Sequence, residues 1–259
     1  MTPVELSPVR MAGWRSGLGN LIRKELRQWW GTRLWWLQLV TWVVILNGIT
    51  AGVLADAGAP AARLEEAVQT FLLVGAFAIG VGAVLTAQGA VVAEKELGTA
   101  AWVMSKPASR PAFVLAKLGA LGAGFLVTAI LVPSVVFVAE VGLGLPVPLD
   151  IGRFGLGVAV VALAVLYYLA LTLALGTVFT GRGPVAGIGM GFLLVGMFGK
   201  GMLPPAVVLA TPWTLGDVAS SAALGDSLTF NPLVPVAATA TWTVVLVGVA
   251  IWRFGREEF

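Results

Sequence analysis

The chain has 259 residues, 58% of them hydrophobic and only 11% charged, where a soluble domain carries about 25% charged residues. It contains no cysteine and no histidine, which excludes disulfides, thiolate metal sites, cysteine nucleophiles and the commonest general base and metal ligand. Sixteen Lys and Arg against thirteen Asp and Glu give a formal net charge of +3. These basic residues flank apolar runs instead of forming a nucleic-acid-binding patch, so membrane orientation accounts for them best.

The first 33 residues hold no apolar core followed by small cleavage-site residues, so the first long apolar run is expected to act as the insertion signal. Within them, Trp14, Leu18, Leu21, Ile22, Leu26, Trp29 and Trp30 recur at spacings of three and four, which places them on one helical face. Arg15, Arg23, Lys24 and Arg27 fall near the other. A basic amphipathic helix ending in Trp29 and Trp30 suits the headgroup layer, with its axis in the membrane plane.

Uncharged stretches then predict six spans, near 34–55, 70–93, 113–139, 154–181, 184–200 and 232–252. The fifth is marginal in length and opens at Gly183-Pro184. Residues 201–231, which carry Pro204, Pro205 and Pro212, are expected to form short helices re-entering the outer membrane edge. With six spans, every basic residue but Arg63, Arg153 and Lys200 falls on the side of the two termini. That side is therefore assigned to the cytoplasm. The fold class is an all-α integral membrane protein: residues 1–33 form a cytoplasmic N-terminus with an interfacial helix, and residues 34–259 a single six-span domain.

Between the second and third spans lies a charged island, Glu94 to Arg110. Glu94, Lys95 and Glu96 open a segment expected to be helical as far as Ser105-Lys106, where Pro107 stops it. Leu97, Ala101, Trp102 and Met104 would give it a compact apolar surface. Composition leaves open a solvated loop whose charges merely halt translocation.

The order of residues here resembles that of ABC type-2 transporter permeases: Glu94, Lys95, Glu96, Gly98 and Thr99, then Pro107, Ser109 and Arg110, then Lys117 at the start of the next span. The run Ile22-Arg23-Lys24-Glu25-Leu26-Arg27 is similar to that family's N-terminal helix. Lys95 stands where the family commonly has Arg. The resemblance implies that residues 94–106 are a coupling helix docking into a separate ATP-binding subunit, with Glu94, Lys95, Glu96, Leu97, Gly98, Thr99, Trp102 and Lys106 at that contact. It further implies two permease copies, identical or related, above two ATPase subunits in the cell's inner membrane. Export is the expected direction, with ATP and Mg on the partner and no cofactor on this chain.

The absence of a Gly-x-x-x-x-Gly-Lys-Ser/Thr loop agrees with energy supplied by another polypeptide. The alternative is a secondary transporter or channel, which generally carries ionisable groups at mid-membrane. Here the polar residues within or beside spans are Asn47, Gln88 and Glu140, and they are the possible pathway residues. Intramembrane catalysis is disfavoured, since Ser105 and Lys106 are adjacent and point about 100° apart on a helix.

Overall fold

The computed structural model describes residues 13–105 and 108–257, so Lys106 and Pro107 lie outside it. Among the described residues there are helices and turns and no strand. Six helical runs are long and apolar enough to cross a membrane: Leu34–Ala55, Pro60–Glu96, Arg110–Gly144, Ile151–Val178, Arg182–Met202 and Leu233–Gly255. The shortest has 21 residues, sufficient for a hydrocarbon core that needs about 20.

Helix α1 (Leu18–Trp30) precedes α2 (Leu34–Ala55), and the ring centroids of Trp30 and Trp35 lie 5.7 Å apart across the junction. Helix α3 (Pro60–Ala87) starts ten residues before the expected second span. Arg63, Glu65 and Glu66 hid that start from a hydropathy reading, whereas Pro60 has the fixed φ suited to a first turn. A tight turn leads to α4 (Val92–Glu96), and Gly98 leads to α5 (Thr99–Met104). Residues 94–106 are thus not the continuous helix expected. Gly98 adopts φ +67, a left-handed conformation that ends α4 and that glycine adopts without steric cost. Thr99 Oγ1 then donates to the Glu94 carbonyl at 3.2 Å, closing the break.

Ser109 caps α6 (Arg110–Phe125), its hydroxyl accepting from the Ala112 N–H. A π-helical turn over Leu126–Leu131 joins α6 to α7 (Val132–Gly144). Pro133 lacks an N–H and so disrupts the α-helical ladder just behind it, which is the local cause of that turn. Helix α8 (Ile151–Val178), N-capped by Asp150, is the most buried of the six crossing runs and packs against α3, α6, α9 (Arg182–Leu194) and the two helices that follow the fifth span. A second π turn, Val195–Gly199, completes the fifth span.

The expected short helices beyond it are α10 (Pro205–Leu209) and α11 (Leu215–Leu224). Helix α11 is a core element, with Leu215, Val218 and Ala219 buried against α3 and α8. Helix α12 (Leu233–Gly255) returns along α8 to the end where α1 and α6 begin, and Phe254 stacks on Phe113 at 4.6 Å.

The seam between α8 and α11 is narrow. A Cβ at Gly157 would sit 2.6 Å from the Ala219 carbonyl oxygen, whereas one at Gly155 meets nothing within 4 Å. We expect Gly157→Val to cost about 1–3 kcal/mol through overpacking and Gly155→Val to be near neutral. Thermal unfolding in detergent, followed by tryptophan fluorescence, checks both.

Candidate functional site: the charged seat of the α4–α5 segment

Three consecutive side chains of α4 point about 100° apart, and each goes to a different neighbour. Glu94 turns inward. Its Oε1 accepts from Lys117 Nζ at 2.7 Å and from Lys24 Nζ at 2.8 Å. Lys117, on α6, also reaches Glu25 Oε1 of α1 at 3.1 Å. The Lys117 side chain is 3% exposed, with Glu94 at 14% and Glu25 at 13%. An ammonium buried so deeply requires charge partners, and here it has two carboxylates and the face of the Phe113 ring at 4.9 Å. Burial alone would lower the Lys24 pKa, but the hydrogen bond and charge of Glu94, followed by Glu25, outweigh it and hold that group above its usual value.

Lys95 points to the opposite flank. It pairs with Glu257 Oε1 at 2.8 Å and donates to the Thr177 carbonyl at 3.3 Å, tying α4 to the residues after α12 and to the end of α8. Glu96 stays at the surface, 3.9 Å from Arg182 at the start of α9. Five residues of α4 are therefore braced by α1, α6, α8, α9 and the segment beyond α12. Nearby, Ser109 donates to the Trp14 carbonyl and Arg110 to the Gly255 carbonyl, so the same end of the bundle is laced from the first described residues to the last.

What remains outward is compact. Leu97 is 75% exposed and Trp102 65%, with Glu96 beside them. The expectation that Glu94 faces a partner is corrected: its carboxylate is engaged within the chain, and so is Lys95. Gly98 and Thr99 form the break between the two short helices, and Lys106 lies outside the described residues.

On α1, Arg23, Lys24 and Arg27 are exposed, as the amphipathic reading anticipated. Trp29 instead turns onto the bundle, 5.7 Å from Phe125, and Trp30 meets Trp35. The possible pathway residues do not converge. Asn47 is 2% exposed on α2, and its amide nitrogen and oxygen have no partner among the described residues. Its neighbour Thr50 donates towards Glu140 of α7 at 3.4 Å, which brings Asn47 and Glu140 to one seam. Gln88 lies after α3 and donates to the Leu85 carbonyl at 3.0 Å, away from that seam. The Glu25–Lys117 contact was missed by the sequence reading. A lysine seven residues into an apolar span is itself the signal, because such a charge demands a partner.

Six apolar crossing runs with a charged, internally braced turn between the second and third define a multi-pass membrane protein of the permease class. The chain belongs to the ABC-2 family: the family described as ABC-2 family transporter protein matches residues 19–259. Comparison with curated proteins gives no match.

Replacing Lys117 by Met leaves Glu25 and Glu94 without their buried partner, and we expect a loss of about 3–5 kcal/mol. The triple change Lys117→Met, Glu25→Gln and Glu94→Gln removes all three charges together and is expected to recover most of that loss. Thermal denaturation of the single and triple variants in one detergent provides the comparison.

Proposed function

We propose that this chain is the membrane-spanning permease subunit of an ATP-driven exporter and that the α4–α5 segment is its contact with a separate ATP-binding subunit. The observation that carries this reading is the division of labour within the segment. Glu94 and Lys95 anchor it to the bundle, while Glu96, Leu97 and Trp102 are presented outward. A carboxylate flanked by an exposed leucine and tryptophan suits an apolar groove with a basic rim on the partner.

In this arrangement both termini and the basic end of the bundle face the cytoplasm of a cell's inner membrane. Helix α1 lies along the headgroup layer, with Arg23, Lys24 and Arg27 towards the phosphates. Two permease copies, identical or related, pair so that α2, α3 and α9 flank a path between them, and two ATPase subunits bind beneath. ATP and Mg are held by those partners. Closure of the ATPase pair would push on Leu97 and Trp102. The bracing of α4 passes that displacement to α1 and α6 through Glu94 and to α8 through Lys95. Transport follows only if ATP favours one of two packings of these helices over the other.

Purification of the tagged chain from its native host in mild detergent tests this reading. An ATP-binding protein is expected in equal ratio with the chain, and Leu97→Ala with Trp102→Ala is expected to reduce its recovery at least roughly fivefold while the permease stays monodisperse. Undiminished recovery from the double variant would remove these residues from the contact. Ion-driven flux in liposomes by the chain alone would replace the whole reading with secondary transport.

A further inference from the structure

Between the second half of α1, the opening turns of α2 and the end of α3 lies a cavity of about 600 Å³, within the roughly 300–1,000 Å³ typical of ligand sites. Its two ends differ in chemistry. At one end Leu34, Leu37 and Leu85 line it and are exposed, so its mouth is apolar and opens sideways. At the other, Glu25, Glu94 and Lys117 line it. Trp29, Trp35 and Trp42 contribute to its wall between these extremes.

The hydrogen-bond inventory at the charged end is unbalanced. Lys117 is committed to Glu25 and Glu94, and Lys24 contacts the same two carboxylates. Both lysines reach Glu94 through Oε1. Glu94 Oε2 is buried and has no partner among the described residues. Donors are thus engaged while an anionic acceptor is left over, and two carboxylates face one ammonium in the cavity wall. That combination selects a cationic head that can donate a hydrogen bond. Indole faces favour the same charge. The Trp29 and Trp42 indole N–H groups also lack partners among the described residues, and an ester or phosphate oxygen close to the cation would supply an acceptor for them.

We propose that this cavity holds the head of a bilayer lipid carrying a primary ammonium, of the phosphatidylethanolamine class. The ammonium lies at Glu94, and the glycerol and first methylenes run past Trp35 towards Leu37 and Leu85. The exposed leucines at the mouth argue for a lipid, because a freely soluble ligand would leave them facing the bilayer uncovered. A phosphatidylcholine head carries charge but no N–H donor, so the site discriminates between the two. The proposal rests on the membrane-embedded reading above and is independent of the ATPase contact.

The test reconstitutes the chain in lipid discs of equal phosphatidylethanolamine and phosphatidylcholine. It then extracts the chain gently and identifies the retained lipid by native mass spectrometry. We expect phosphatidylethanolamine to be retained roughly tenfold over phosphatidylcholine, the worth of one charge-assisted hydrogen bond. Thr86→Phe, which fills the cavity without touching the ion pairs, is expected to abolish retention. Glu94→Gln is expected to abolish the preference between the lipids. Equal retention by the unaltered chain, or a preference that survives Thr86→Phe, would overturn the proposal. So would retention of added dodecylamine without phosphatidylethanolamine, which would assign the cavity to a free amphipathic amine. Recovery of the ATP-binding partner is read in the same preparations. A chain that keeps the partner but shows no lipid preference therefore loses only the cavity assignment, and the reverse loses only the coupling reading.

Discussion

The ammonium of Lys117 is the constraint on which the basic end of this molecule depends. A lysine at a nearly inaccessible position on a membrane-crossing helix is tolerable only with negative charge held against it. The chain supplies that charge from two directions, Glu25 on the helix before the first span and Glu94 on the turn after the second. Both elements are consequently drawn onto α6. The position of α1 and the seat of α4 are two consequences of one desolvated charge. Hydrophobic packing by Leu21 and Trp29 supplies the area of contact, while the ion cluster selects its register.

Elsewhere the bundle is organised around α8, which has neighbours on nearly every side and is the most buried crossing run. The aromatic group formed by Phe71, Phe137 and Phe154 locks α3, α7 and α8 together, with centroid distances of 4.5–5.7 Å. Helix α11 occupies the space beside α3 and α8 that a crossing helix would otherwise fill. In a bilayer, association among helices relies on such close packing because apolar surface gains nothing by leaving lipid. Gly157 under Ala219 is one place where that closeness is explicit.

Much of this was legible in the residues. Apolar runs of sufficient length announced six crossings, and the three- and four-residue spacing from Leu18 to Trp30 announced α1. The early start of α3 was concealed because Arg63, Glu65 and Glu66 lie on a helix that begins before the uncharged stretch does. The break at Gly98 was concealed for a different reason: a glycine in a short polar run is compatible with a helix or a turn until the backbone angle is known. The orientation of Glu94 was the hardest to anticipate. Sequence places it beside Glu96, but only the tertiary position of Lys117 decides which of the two faces inward. Asn47 shows the same limit, since its burial was foreseeable and its lack of amide partners was not.

The brace around α4 is built from lysines and carboxylates alone, in a chain without histidine. Histidine is the side chain whose ordinary charge change falls near neutral pH, and partly buried ion pairs are screened by salt far less than exposed ones. The charge pattern that seats this segment therefore carries no sensor for modest acidification, and ionic strength has little purchase on its buried members. Information can reach the segment only as mechanical displacement, by a load applied to its outward face or by movement of the helices that hold it.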